Sequence, residues 1–241
     1  MIYNWLKNNL FYIISKQCLL CLSPTKNKYL LCTHCEKDLA KNTHRCIICA
    51  IPFTASELTE IKLVCGKCQK NPPHYTTSTI PHLYAPPLKQ LITQLKFHGN
   101  LTYAPLLAQN FINSIKLRGN ALPDCIIPVP LHYQRLRERG FNQALELARI
   151  IAKQLKIPFD YSLCRRNKAT PFQSGLNAKQ RKQNLRNAFS VTKQHSYTHV
   201  AIFDDVVTTG TTVNELARKL KESGVEIIEV WAIARTNEKS R

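Results

Sequence analysis

Two sets of residues in this 241-residue chain have the types and spacing to do chemistry. The first is Asp204-Asp205-Val206-Val207-Thr208-Thr209-Gly210-Thr211-Thr212, which follows the apolar run Val200-Ala201-Ile202-Phe203. Two adjacent carboxylates stand just upstream of four threonines grouped around one glycine. Gly210 permits a tight backbone turn, and the amides and hydroxyls of Thr208, Thr209, Thr211 and Thr212 at a helix start favour a phosphate. Carboxylates beside a phosphate cradle are electrostatically awkward unless they accept hydrogen bonds from neutral hydroxyls, which the 2- and 3-hydroxyls of a ribose 5-phosphate supply. The stretch predicts a ribose-phosphate site.

The second set is cysteine. Eight of the ten cysteines fall in four pairs of identical spacing: Cys18/Cys21, Cys32/Cys35, Cys46/Cys49 and Cys65/Cys68. Two thiolates separated by two residues grip one face of a tetrahedral Zn²⁺, and a second pair closes the site. Two structural zinc sites are expected. The simplest pairing joins Cys18, Cys21, Cys32 and Cys35 in one and Cys46, Cys49, Cys65 and Cys68 in the other; an interleaved pairing satisfies the same spacing. Closed Cys₄ sites leave no open position for catalysis and supply folding energy to a segment too short to build its own core. Repeated CxxC pairs in a chain expected to be cytoplasmic argue for metal rather than disulfides.

Elements that would position these residues follow from periodicity. The run Val200 to Val207 suits a buried strand of a parallel sheet, and Val213, Leu216, Ala217 and Leu220 recur at helical spacing, so the order is strand, loop, helix. Asp124 to Pro130 reads as an earlier strand that opens into the loop Leu131 to Gln143. After it, Ala144, Leu145, Leu147, Ala148, Ile151, Ala152 and Leu155 form the apolar stripe of a helix covering the sheet. Leu88, Leu91, Ile92 and Leu95 predict a further helix ending near Lys96, whose cation either caps carbonyls or points toward a phosphate. Prolines 72, 73, 81, 86 and 87 mark a boundary region, placing a helix and double zinc-ribbon module at 1–75 and a second domain at 76–241.

Asp204-Asp205 with Thr208-Thr209-Gly210-Thr211-Thr212 resembles the phosphoribosyl pyrophosphate (PRPP) signature of type I phosphoribosyltransferases. In that signature the acidic pair holds the ribose and the Thr/Gly loop the 5-phosphate. The resemblance implies PRPP with Mg²⁺ at Asp204, Asp205, Val207, Thr208, Thr209, Gly210, Thr211 and Thr212. It also implies pyrophosphate contacts from the loop after the earlier strand, where Arg135, Arg137 and Arg139 offer forked donors. A closing loop before the acidic strand would contribute Arg165, Arg166 and Lys168. Together with Pro128-Val129-Pro130, Arg139-Gly140-Phe141-Asn142-Gln143, Gln173-Ser174-Gly175-Leu176, and Arg181 with Asn184, the chain resembles the ComF competence family from about Cys18 to Arg235. The family implies an α/β fold: a type I phosphoribosyltransferase-like domain, a parallel sheet flanked by helices, preceded by a small Cys₄ zinc-ribbon domain. It further implies a role in bacteria that take up DNA by natural transformation. No glutaminase is expected, since the chain begins Met1-Ile2-Tyr3 and runs into CxxC pairs, so glutamine-dependent transfer is disfavoured. Phosphoribosyl transfer to an unidentified acceptor remains an alternative.

Charge supplies the partner class. The formal net charge is +19, with 34 Lys+Arg against 15 Asp+Glu, which predicts attraction to phosphate-rich partners. No acidic residue lies between Asp160 and Asp204, while eight cations do, among them Lys179, Arg181, Lys182 and Arg186. This interval is either a solvated basic face or a track for a nucleic-acid backbone, and the net charge favours single-stranded DNA along those four residues. A helicase or other DNA-processing protein docked on the ribbons is a further expected partner. The longest N-terminal apolar run, Leu10 to Ile14, is too short to span a membrane, and a cytoplasmic location is expected.

Overall fold

The computed structural model describes residues 16–53, 63–119, 121–168 and 186–237. The helix expected at the N-terminus, with Ile2, Tyr3, Trp5, Leu6, Leu10, Phe11 and Ile13 on one face, and the segment carrying Lys179, Arg181 and Lys182 lie outside these residues. Packing divides the chain into two compact units, Met1–Leu39 and Ala40–Arg241. The sequence division near residue 75 follows the prolines from 72 to 87; packing places the second cysteine quartet in the large unit, where its backbone is tied to the sheet.

In the small unit, Cys18 and Cys21 flank a tight turn in which Leu22 takes φ 61° and donates its N–H to the Cys18 carbonyl at 2.9 Å. Helix α1, Thr33–Lys37, follows Cys32. The large unit repeats the device. Ala50 takes φ 54° and donates to the Cys46 carbonyl at 2.8 Å, and helix α2, Gly66–Lys70, follows Cys65. Non-glycine residues adopt this left-handed conformation at a cost, so its recurrence four residues after the first cysteine of each quartet marks a repeated metal-binding turn.

The chain then lays down strands β1 (Thr77–Thr79) and β2 (His82–Leu83), helices α3 (Leu88–His98) and α4 (Tyr103–Arg118), and strand β3 (Cys125–Pro128). Helix α5 (Tyr133–Arg139), helix α6 (Gln143–Leu155) and the antiparallel pair β4 (Cys164–Arg166) and β5 (Phe189–Val191) follow. Strand β6 (His199–Val207), helix α7 (Thr211–Glu222) and strand β7 (Ile227–Arg235) complete the described fold. The main sheet runs β1, β7, β6, β3, with β2 also on β7, and every pairing in it is parallel. The predicted parallel sheet flanked by helices is thus observed.

Leu88, Leu91, Ile92 and Leu95 are the buried residues of α3, as their spacing predicts. In α6 the buried stripe is Gln143, Ala144, Leu147, Ala148, Ile151 and Ala152. The span Leu131 to Gln143, expected as a loop, holds the short helix α5, because the side chain of His132 accepts the Gln134 N–H at its start and Gly140 ends it at φ 80°. The core beneath the sheet centres on Phe111, Phe203 and Trp231, with ring centroids 5.5 Å apart in both Phe111 pairs. There the buried acid Glu229 accepts from both terminal nitrogens of Arg118 (2.6 and 2.8 Å) and from the indole N–H of Trp231 at 2.7 Å. Burial is the largest single influence and works to raise the Glu229 carboxyl, but hydrogen bonds from Arg118 and Trp231 and the charges of Arg118 and His199 together outweigh it and hold it below its ordinary range. No helix among the described residues is long and apolar enough to cross a membrane.

Candidate ribose-phosphate site

Parallel sheets place ligands at the carboxyl ends of their strands, and β6 ends at the predicted site. Register against β7 puts Asp204 opposite Ala232 and Val207 opposite Arg235. The strand stops because Gly210 takes φ 76°, turning the chain into α7, whose first residue is Thr211. Gly210 has no side chain with which to cap this N-terminus; the Thr211 N–H donates to the Thr209 hydroxyl at 3.4 Å, and the amides that follow it are left for an anion. The Thr209 and Thr211 hydroxyls lie 2.8 Å apart.

The two acids differ. Asp205 is 2% exposed, whereas Asp204 is partly exposed. Lys96, near the end of α3, places Nζ 3.1 Å from Asp205 Oδ2 as an ion pair without a directed hydrogen bond, and Gln143 Nε2 donates to Oδ1 at 3.5 Å. Burial, then the neighbouring Asp205 charge, push the Asp204 carboxyl well up. Burial also opposes ionisation of Asp205, but Lys96 and hydrogen bonds from Asp204 and Gln143 prevail and keep it low. The pair therefore shares one negative charge, as close carboxylates do. The unmet hydrogen-bonding capacity of Asp205 Oδ2 suits hydroxyl donors or a hydrated cation.

Around this pair the chain gathers cations. Arg139 donates to Gln143 Oε1 at 2.7 Å and lies over the Phe97 ring, forming a relay from Arg139 through Gln143 to Asp205. Burial lowers the pKa of both Arg139 and Arg166, and Arg166 is within electrostatic reach of Asp204. Of the sequence-predicted candidates, Arg135, Arg139 and Arg186 line one wide cleft with Thr208, Thr209, Gly210 and Thr211. Arg165 points outward on β4 and Lys168 donates to the Arg186 carbonyl at 3.1 Å; neither lines the cleft. Lys179, Arg181 and Lys182 lie outside the described residues. Sequence reasoning left Lys96 undecided and missed Gln143, Tyr75 and Arg235. The signal for Arg235 was present, since an arginine closing a nine-residue strand whose other residues, Glu229 apart, are apolar needs buried partners.

The cysteines form two quartets, Cys18, Cys21, Cys32, Cys35 and Cys46, Cys49, Cys65, Cys68, with all four sulfurs of each within 4.8 Å of one another. A tetrahedral zinc with Zn–S near 2.3 Å requires S···S distances of about 3.8 Å. Cys21 and Cys32 Sγ lie 3.7 Å apart, as do Cys49 and Cys65 Sγ. Backbone N–H groups of Cys32 and Cys65 approach Cys18 and Cys46 Sγ at 3.4 and 3.3 Å, stabilising thiolate character. The donor set fits zinc, and the pairing is sequential rather than interleaved.

Comparison with known proteins agrees with this arrangement. A double zinc ribbon domain matches residues 10–71 and a phosphoribosyl transferase domain matches residues 142–241. "Competence protein F" of Haemophilus influenzae is 39% identical over 85% of this chain and 90% of its own length. The chain belongs to the ComF/ComFC-type competence protein family. The "DNA utilization protein YhgH" of Escherichia coli K12 is 35% identical over 91% of this chain and 96% of its own. "Competence protein ComFC" of Bacillus subtilis is 26% identical over 80% and 79%. For this ComF-type chain, the ribbon match and the sulfur geometry together suggest two Cys₄ zinc sites.

Proposed function

We propose that this protein serves competence by handling incoming single-stranded DNA, with PRPP or a related ribose phosphate and Mg²⁺ bound at Asp204, Asp205 and the Thr208–Thr212 loop. One observation carries the ligand class: a carboxylate pair sharing a single charge, with Asp205 Oδ2 lacking a directed donor, stands immediately before a helix N-terminus whose Gly210 cap has no side chain. Hydroxyls at the acids and a phosphate at the amides satisfy both. Bound Mg²⁺ would neutralise pyrophosphate oxygens and draw on Asp204. Arg135 and Arg139 supply the remaining cations toward it.

The cleft supports the polymer. It encloses roughly 2630 Å³, against about 300–1,000 Å³ for a small-molecule site. Lys67 and Lys70 of the second ribbon line it together with Lys89, Arg135, Arg139 and Arg186, so a strand's phosphates meet cations beside the sugar-phosphate loop. Arg186 is held there because the next residue, Asn187, donates its N–H to Glu215 on α7 at 2.8 Å. Zinc in the two quartets is structural, and that in the second fixes the ribbon that presents Lys67 and Lys70.

Titrating PRPP and single-stranded DNA separately and together tests the reading. Salt-sensitive DNA binding weakened by Arg181→Glu, Lys182→Glu and Arg186→Glu supports the track, and undiminished binding by the triple variant removes it. The second reading, a phosphoribosyltransferase, is favoured by the cationic surroundings of the acid pair. It requires pyrophosphate release from PRPP with some acceptor and loss of that release in Asp204→Ala.

A further inference from the structure

The second cysteine quartet and the phosphate loop are joined by one buried side chain. Arg235 ends β7 and is 2% exposed, among the largest fully buried residues of the chain. A guanidinium so placed needs its donors filled, because an unpaired buried charge is strongly destabilising. Its Nε donates to the carbonyl of Cys49 at 3.1 Å. Its Nη1 donates to the carbonyl of Val207 at 3.1 Å, to that of Thr208, and to that of Thr236 at 3.1 Å. Cys49 is a member of the quartet; Val207 and Thr208 are the residues at which β6 becomes the phosphate loop. A single rigid fork therefore fixes the metal-binding turn and the start of the loop in one geometry.

Two further contacts make the joint stiff. Tyr75, buried between them, places its hydroxyl where a Cβ on Gly210 would lie 3.5 Å away, so its ring backs the turn. Ala50, next to Cys49, is fully buried in the same apolar cluster as Tyr75, Val207 and Val213, and its carbonyl accepts from Asn42 at 2.9 Å. Opening the quartet would withdraw the Cys49 carbonyl from Arg235 and leave the guanidinium to re-seat on the loop carbonyls beside the amides that face the anion.

We propose that the second Cys₄ site is a positioning element for the phosphate loop, acting through Arg235, so that metal at Cys46, Cys49, Cys65 and Cys68 and ligand at Thr208–Thr212 strengthen each other's binding. The proposal rests on the ribose-phosphate reading of the loop. Arg235 is a positioning residue here: it holds the two backbones and does not touch the ligand. Because coupling between two binding events is reciprocal, ligand must tighten zinc binding at this quartet just as zinc improves ligand affinity, and the proposal places that tightening in slower zinc loss.

The test uses the full zinc-loaded chain and ribose 5-phosphate. Zinc release to a chromogenic chelator is followed with and without the sugar phosphate, while calorimetry on the same preparation measures its binding. One of two release phases should slow by about tenfold at ligand ten times its Kd, if only the unliganded form loses metal. Cys18→Ser removes the other phase and so assigns them. Arg235→Met should retain the ligand-insensitive phase and lose the slowing; if that variant fails to fold, the wild-type and Cys18→Ser measurements still decide. Binding by calorimetry with both phases unchanged overturns the coupling alone, as does slowing of the phase that Cys18→Ser abolishes. Absence of ribose 5-phosphate binding overturns the loop reading and the coupling together.

Discussion

Replacing Lys96 by methionine isolates the electrostatics of the acid pair. Lys96 Nζ lies 3.1 Å from Asp205 Oδ2, with the lysine side chain 26% and the aspartate side chain 3% exposed. At an effective dielectric near 20 the gross attraction is about 5 kcal/mol. Breaking a buried pair by removing one partner costs about 3–5 kcal/mol, and the partial exposure of Lys96 places this case near 3. The loss depends on pH in a defined direction. In the wild type Asp205 is held low, so it stays ionised from mild acid upward. Without Lys96 burial pushes its carboxyl above the unfolded value, and such a group stabilises the fold below the unfolded pKa and loses that contribution as pH rises. At about 1.4 kcal/mol per pH unit, a 3 kcal/mol deficit accumulates over roughly two units above pH 4 and then levels off near pH 6. Thermal unfolding followed by the fluorescence of buried Trp231, in buffers containing zinc, should show Lys96→Met about 6–12 °C below wild type at pH 7.5. At pH 5 the difference should be about half as large. A deficit equal at both values, or one below about 1 kcal/mol, would refute the assigned roles of Lys96 and Asp205.

Arg118→Ala should lower stability by about 3 kcal/mol, since it strips Glu229 of its bidentate partner in the core; urea unfolding at neutral pH measures it. Because the Glu229 carboxyl is held low, its stabilising contribution is present above the unfolded carboxylate pKa and is lost as pH falls through the folded value, so the Arg118→Ala deficit should shrink in acid. Gly210→Ala forces a Cβ into the left-handed region at φ 76°, and chemical denaturation should find a loss of about 1–2 kcal/mol accompanied by weaker sugar-phosphate binding. Binding of PRPP with Mg²⁺ should release a proton as Asp204 ionises, so affinity should rise with pH. Calorimetry in two buffers of different ionisation enthalpy should report that proton, and identical heats would contradict the raised Asp204 carboxyl.

Much of the site was legible in the sequence because its parts are local. Asp204 to Thr212 lie within one strand, turn and helix start, where periodicity and a single glycine specify the geometry. The quartets were legible for the same reason: each metal-binding turn is written in four consecutive residues. What escaped was non-local. Gln143 reads as the end of the loop from Leu131 and part of a family motif, with no partner of its own, until Asn142, by accepting from Ala144 and donating to the Val129 carbonyl, sets α6 at the end of β3 and aims Gln143 at Asp205. Arg235 lies 186 residues from Cys49, and only the parallel pairing of β7 with β6 brings the strand end to the loop. The place of the second quartet in the large unit was hidden similarly, since the CxxC pattern repeats while its tie to the sheet is made by Ser78, whose N–H donates to the Ile47 carbonyl at 3.0 Å.

The central claim, a ribose-phosphate site at Asp204, Asp205 and Thr208–Thr212, is tested most directly by calorimetric titration of PRPP with Mg²⁺ into the wild-type chain and Asp204→Asn. Saturable one-to-one binding to the wild type, weakened about 10- to 100-fold in the variant through loss of charged hydrogen bonds, is the predicted result. No saturable binding to the zinc-loaded wild type, or equal affinity for both proteins, would contradict it.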